Sequence, residues 1–386
     1  MSSAGRRNGT LWAALAIATA TLVVVGPAQA KTTWHTLPVK YPASSGEWFR
    51  VYGWASGRFW FGVGSGETIW SAKPTGGRLT SFVSTRVTDE QLGQSIVVGS
   101  SLVVDNTTAA FQSNGKVGSW VAIPGDPAKV TDAVISVGGI MAGVVIGGRT
   151  VWAAAAGGTL GACCTAAGAA TNLGSLLVKK SGFDPSSVRL GVDQQGRLWL
   201  AWTEAQGAQG ALVNVHLAQL DPATLKPLSS KSYGPVANGG GGGSQASDDF
   251  TLVCADSCRL VMSSLTAILS WDGTSSPTKL ITARLSVGTS PHLLAAAYRG
   301  NQLEIVTAQG SPDYGWTLTV RVGDVRGAHS RTVIATRVPQ AVPHPNEHWN
   351  AYELRSAYTP TGFVALGAYP PSGRKLQPIT GALLHG

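Results

Sequence analysis

Leu190–Trp202 reads LGVDQQGRLWLAW. Apolar residues run to Val192, a turn of Asp193, Gln194, Gln195 and Gly196 follows, and apolar residues resume at Leu198. Aliphatic and aromatic runs this short, on either side of an Asp/Gly turn, specify two strands joined as a hairpin. The plan recurs. Phe49–Val63 is FRVYGWASGRFWFGV, Ser95–Asp105 is SIVVGSSLVVD and Ala133–Val144 is AVISVGGIMAGV. Phe250–Ser263 is FTLVCADSCRLVMS, Leu293–Val306 is LLAAAYRGNQLEIV and Tyr352–Leu366 is YELRSAYTPTGFVAL. With the opening stretch these make seven hairpins.

Their second strands begin near Phe59, Leu102, Ile140, Leu198, Leu260, Leu303 and Phe363, at steps of 38 to 62 residues. A period of roughly 40–50 residues with four strands per unit is the signature of a propeller blade. The longer steps hold insertions: the Gly/Ala-rich run Ala153–Gly174, the loop Asn238–Ser247 with five consecutive glycines (Gly239–Gly243), and the segment with Pro339, Pro343 and Pro345. Further outer strands are expected at Thr68–Ser71, Thr150–Ala154, Leu212–Leu220, Ala267–Trp271 and Trp316–Val322. The expectation is one all-β domain over residues 31–386, a β-propeller with seven blades favoured over six or eight. The last unit is one strand short. Thr32–Val39 alternates well enough to supply the missing strand and close the ring, since an open sheet edge invites aggregation.

Asp193-Gln194-Gln195-Gly196-Arg197-Leu198-Trp199 resembles the D-x-x-G-x-L-W step of secreted and sensor-type β-propellers, including streptogramin-lyase-like ones. The resemblance covers one unit well and the others loosely. It implies the fold and carries no catalytic residue. Sialidases build similar rings, but their S-x-D-x-G-x-x-W box is absent; Ser270-Trp271-Asp272-Gly273 has the wrong spacing. Their F/Y-R-I-P motif and the context of their arginine triad are also absent.

Residues 1–30 read as a signal peptide. Arg6 and Arg7 precede the apolar run Leu11–Val25, and Ala28-Gln29-Ala30 is an A-x-A cleavage site. Cleavage after Ala30 would remove two of the positive charges from a net +9 and leave +7. The expected location is therefore extracellular or in the cell envelope, with no stable membrane insertion. A mild basic excess suits anionic envelope polymers. No Lys/Arg run interleaved with aromatics points to nucleic acid. The chain has four cysteines. Cys254 and Cys258 face each other across a three-residue turn, where directly opposed residues come close enough for a disulfide. Cys163 and Cys164 are adjacent, and their state is left open by the sequence.

No nucleotide or cofactor fingerprint is present: Gly62–Gly66 has the wrong spacing, and no Lys follows Gly239–Gly243. No cofactor and no metal are expected. His344-Pro345-Asn346-Glu347-His348 matches H-x-x-E-H, but that chemistry needs both histidines on one helical face, and three prolines crowd the segment. In a propeller, the loop leading into each first strand opens around the channel, where ligands bind. These positions hold Glu47, Trp48, Asp132, Asp248, Asp249, His292, His348 and Trp349. Acids, imidazoles and aromatic platforms are the parts that sugar binding or glycoside hydrolysis requires. The expected function is a secreted, monomeric binding or scaffold module with a carbohydrate, envelope polymer or protein at the channel face. The alternatives are a glycan-directed hydrolase or lyase using Asp132, Asp248 or Asp249 with His292 or His348, and a structural envelope protein.

Overall fold

The computed structural model describes residues 32–41, 48–64, 68–86, 92–106, 110–113, 120–122, 142–156, 159–164, 171–172, 185–206, 212–237, 250–274, 276–282, 291–311, 315–324, 326–339, 353–368 and 377–384. They are all β. Strand β1 is His35–Tyr41. The first sheet contains β2 (Trp48–Ala55), β3 (Arg58–Gly64), β4 (Thr68–Thr75) and β5 (Arg78–Arg86). The second contains β6 (Leu92–Val98), β7 (Ser101–Asn106), β8 (Ala110–Ser113) and β9 (Trp120–Ala122). The third contains β10 (Ala142–Ile146), β11 (Arg149–Ala156), β12 (Thr159–Cys164) and β13 (Thr171–Asn172). The fourth contains β14 (Pro185–Val192), β15 (Leu198–Gln206), β16 (Leu212–Leu220) and β17 (Pro227–Ala237). The fifth contains β18 (Phe250–Cys254), β19 (Cys258–Ser263), β20 (Ala267–Trp271) and β21 (Thr278–Thr282). The sixth contains β22 (His292–Arg299), β23 (Gln302–Ser311), β24 (Gly315–Gly323) and β25 (Arg331–Arg337). The seventh runs β26 (Glu353–Thr359), β27 (Gly362–Ala368), β28 (Gln377–Leu384) and then β1.

Every sheet is antiparallel, in a propeller arrangement; the first six are meanders, and the seventh is the meander β26–β28 with β1 added at its outer edge. The first strands touch in chain order, β2 to β6, β10, β14, β18, β22 and β26, and β26 in turn touches β2. Strand β1 pairs with β28, His35 opposite Gly381 and Tyr41 opposite Gln377. Second and third strands are covered on both faces by neighbouring sheets. This is why β19 and β20 are buried at every position and show no polar alternation. Aromatic side chains fill the gaps between sheets: Phe59, Phe61, Trp60, Trp152 and Trp202 are all buried. Each such burial contributes about 1.5–3 kcal/mol or more.

The third sheet departs from the sequence reading. Its hairpin is β10–β11, Ala142–Ala156, and not Ala133–Val144. Residues 133–141 lie outside the described residues. The turn is Gly147-Gly148, both with positive φ (56° and 76°), the backbone that a two-residue hairpin loop requires. Thr150–Ala154 therefore belongs to the second strand rather than to an outer one. Ala153–Gly174 is not an insertion: it contributes the end of β11 and strands β12 and β13. Its small residues, which lack the apolar pattern of a strand, serve as strand positions of the sheet.

The D-x-x-G-x-L-W step is a structural device. Asp193 is buried, and its Oδ1 accepts the backbone N–H groups of Gln195 (3.0 Å) and Arg197 (2.9 Å). Its Oδ2 accepts Arg197 Nε (2.7 Å) and the Trp199 indole N–H (2.9 Å). Gly196 supplies the positive φ (75°) that folds the turn around the carboxylate. Burial alone would raise this carboxyl's pKa. The bonds from Trp199, the Arg197 backbone and the Arg197 guanidinium outweigh burial and hold it below the usual range. The turn also docks on the next sheet: Gln194 N donates to Ala255 O (2.8 Å) and Arg197 Nη2 to Asp256 O (2.6 Å). Ser56 makes the same kind of tie between the first two sheets, its N and Oγ both donating to Ser100 O at 2.8 Å.

Candidate functional site

The strand order of the sheets and the succession of contacts between first strands put the starts of β2, β6, β10, β14, β18, β22 and β26 at one end of the described structure. We call it the leading end. Trp48 is the first residue of β2, opposite Gly64, and His292 is the first of β22, opposite Ala308. The half-buried His292 ring meets Trp316 of β24 edge-on, with centroids 5.6 Å apart at 65°. Leu293 N, the next residue, donates to Ser263 Oγ of the fifth sheet (2.8 Å). His292 is thus anchored at the start of its strand with an aromatic neighbour. Glu47, Asp132, Asp248, Asp249, His348 and Trp349 lie outside the described residues, as does His344-Pro345-Asn346-Glu347-His348.

Cys254 and Cys258 form the expected disulfide, paired opposite one another at the β18–β19 turn. That turn is at the end away from the leading loops. The disulfide packs against the first strand of the fourth sheet: a Cβ on Gly191 would stand 2.5 Å from Cys254 Sγ. Its role is to pin the β18–β19 hairpin, which packs there on the fourth sheet. Cys163 and Cys164 both lie in β12, in register with Trp152 and Val151 of β11.

Three arginines share one register position. Phe59, Leu198 and Phe363 are the first buried apolar residues of β3, β15 and β27. Three residues beyond each, Gly62 pairs with Arg50, Ala201 with Arg189, and Leu366 with Arg355. All three arginines are half-buried; Arg50 and Arg355 are the third residues of their first strands and Arg189 the fifth of its own. They also share a face. On β14, Leu190 and Val192 pack with the third sheet, which turns Arg189 to the fifth, where its guanidinium lies 5.1 Å over the Phe250 ring. On β26, Ala357 packs with the first sheet, so Arg355, two residues before it, faces that sheet too. On β2, Tyr52 packs with the second sheet, and Arg50 is two residues before Tyr52. Arg189 and Arg355 even fold alike, each donating Nη1 to the carbonyl of the preceding residue, Val188 (2.9 Å) and Leu354 (3.3 Å). The corresponding positions of the second and sixth sheets are Gln94 and Ala295. Sequence reading missed the set, because nothing local marks the three arginines and only the ladder registers align them.

A second polar cluster lies within the fourth sheet. His216 stacks on the buried Trp202, with centroids 4.6 Å apart at 6°. Its Nε2 stands 3.2 Å from Glu204 Oε2, and its Nδ1 stands 2.9 Å from Ser232 Oγ. Glu204 and His216 are 4% and 7% exposed, too covered to reach a polymeric substrate. Three adjacent strands place these groups, and their role is to satisfy one another between sheets.

No family model matches the chain, and no curated protein matches it. Three solved structures are similar to it at low levels. One is an extracellular domain from B. thetaiotaomicron: 10% identity, TM-score 0.41, over 92% of this chain and 42% of that one. A Hadza microbial sialidase gives 8% identity and a TM-score of 0.40, over 87% of this chain and 65% of that one. A puromycin-hydrolyzing peptidase from Mycobacterium tuberculosis gives 11% and 0.37, over 88% and 61%. The chain spans less than two thirds of each of these proteins, and similarity at this level assigns it to no family.

Among the described residues, no three His, Cys, Asp or Glu side chains come together as a metal set. Glu304, a carboxylate whose pKa is raised, is no acid for the leading end. It is buried beside the β22–β23 turn, 3.3 Å from Arg299 Nη2. Burial raises its pKa, and Arg299 opposes the rise.

Proposed function

We propose that the chain is an exported β-propeller whose seven sheets close into a ring through β1, and that it binds a saccharide at the leading end. One observation carries this reading. The seven first strands contact one another in succession, β26 touching β2, which supports a ring with the starts of these strands around one mouth. Such a mouth gathers residues from distant sequence positions into one concave site on a rigid support. Trp48 and His292 stand at the first positions of β2 and β22; Glu47, Asp132, Asp248, Asp249, His348 and Trp349, which lie outside the described residues, are the further candidates for its lining. The disulfide suits an oxidising compartment, which supports export with residues 1–30 as the signal segment.

The test is a glycan array probed with the mature chain, run beside a reducing-end assay on the glycans that bind. Retention of saccharides without release of reducing ends supports a binding module. Release that is lost in Asp249→Asn would instead establish the hydrolase. Failure to retain any saccharide would overturn the reading. N-terminal sequencing of the exported protein is expected to start at Lys31.

A further inference from the structure

We propose that Arg50, Arg189 and Arg355 form an anion-binding tier within the mouth of the ring, and that its ligand is an acidic saccharide chain. The inference rests on the saccharide-binding reading above and names the class of saccharide. Equal register puts the three arginines at one level of the first strands, near their middle for Arg189 and towards their start for Arg50 and Arg355. Strands β2 and β26 are neighbours, so Arg50 and Arg355 flank one step of the ring. Strand β14 lies three sheets from each of them, across the axis. A chain laid over the mouth would therefore meet two cations on one side and one on the other. A discrete small anion held by a single pair would not need that spread.

The chemistry favours carboxylate or sulfate groups. Guanidinium is planar, permanently charged and able to offer two parallel N–H donors to either oxyanion. The Arg189 stem is held by its cation–π contact with Phe250 and by its bond to Val188 O, so less side-chain freedom is lost on binding. The net charge of +7 expected after cleavage would draw a polyanion towards the surface, and the tier would then orient it. Only a register comparison exposes this. A generally basic surface would scatter its arginines, whereas these three recur at a single position of a repeated element.

The test uses the full mature chain and three fluorescent oligosaccharides: polygalacturonate for carboxylate, sulfated dextran for sulfate, and dextran as the neutral arm. Affinities are read by anisotropy at physiological salt, and folding by thermal midpoint. Binding of one or both anionic probes, with dextran unbound, is expected. Arg50→Ala, Arg189→Ala and Arg355→Ala should each weaken it at least tenfold. Arg78→Ala and Arg331→Ala, on exposed outermost-strand positions, should change it less than twofold. Should an alanine variant lower the midpoint, Arg50→Lys and Arg355→Lys keep stem and charge. They should still lose several-fold, since an ammonium lacks the planar fork. Equal losses in the outermost-strand controls would overturn the tier in favour of diffuse attraction. Equal binding of dextran, unaffected by the three variants, would overturn the anionic inference and leave saccharide binding standing. Absence of all saccharide binding would overturn both.

Discussion

Removing the Asp193 carboxylate should destabilise the protein far more than a turn aspartate usually does. Four donors converge on it, two at Oδ1 and two at Oδ2, at 2.7–3.0 Å. A hydrogen bond to a charged group contributes about 1.5–3 kcal/mol, and a buried donor left without an acceptor costs about 1–3 kcal/mol. The four do not add, because one side chain serves them all and Gln195, at least, lies in an exposed turn. The donors that stay covered are the Trp199 indole and the Arg197 amide. Asp193→Ala should therefore cost about 3–4 kcal/mol. Asp193→Asn keeps an oxygen for the two amides but turns an NH2 group towards Arg197 Nε and the indole, and should cost about 2 kcal/mol. The assay is urea unfolding of the mature chain followed by far-UV circular dichroism, with Trp199→Phe as the second arm of a double-mutant cycle. The coupling should be at least about 1 kcal/mol. pH gives an independent check. The folded carboxyl titrates below its unfolded value of roughly 3.9. Its contribution is complete above that value and is lost as pH falls through the folded one, so Asp193→Asn should flatten the acid limb of stability against pH. An Asp193→Ala cost under about 1 kcal/mol, or an unchanged acid limb, would refute the assignment.

Other expectations follow from the same structure. Gly191→Ala sets a Cβ 2.5 Å from Cys254 Sγ and 3.0 Å from Leu252 Cδ2. It should cost about 1–3 kcal/mol in urea unfolding, and less in a Cys254→Ser/Cys258→Ser background. That double replacement on its own removes the cross-link of a loop of only a few residues and should cost about 2 kcal/mol, seen as the urea-midpoint difference between variant and wild type. Glu304→Gln should raise the thermal midpoint at pH 7. The native Glu304 carboxyl titrates above its unfolded value, so the wild type loses stability as pH rises through that window, and the variant should not. Deleting residues 32–41 strips β28 of its partner and exposes the sites of the buried Leu37 and Val39. A loss of at least about 4 kcal/mol is expected, and unchanged unfolding would show that β1 is dispensable.

The hairpins were legible because two apolar strands around a short polar turn are a local pattern. Leu212–Leu220 and Ala267–Trp271 coincide with β16 and β20 for the same reason. The fourth strands were not. β17, PLSSKSYGPVA, and β5, RLTSFVSTR, lie at the rim with most side chains in water, so no hydrophobic pattern announces them. In the third sheet the Gly147-Gly148 turn was a usable signal, overlooked because Gly138-Gly139 nearby offered the same one. Of the candidate site, the positions of Trp48 and His292 at strand starts were readable from the repeat. Arg50, Arg189 and Arg355 were not, because a bulge between Val51 and Gly53 offsets the count along β2. Only pairing across the ladder shows that the three correspond.

The pairing of β1 with β28 has a consequence for how the chain reaches its native state. His35 and Gly381 sit side by side although nearly every described residue lies between them. Bringing such ends together is entropically slow, so the seventh sheet should be the last to consolidate. Until then β28 displays a bare row of amide and carbonyl groups, and the β1 of another molecule is chemically identical to its own. Refolding at high protein concentration should therefore yield strand-exchanged oligomers, and a free peptide spanning residues 32–41, added during refolding, should suppress them.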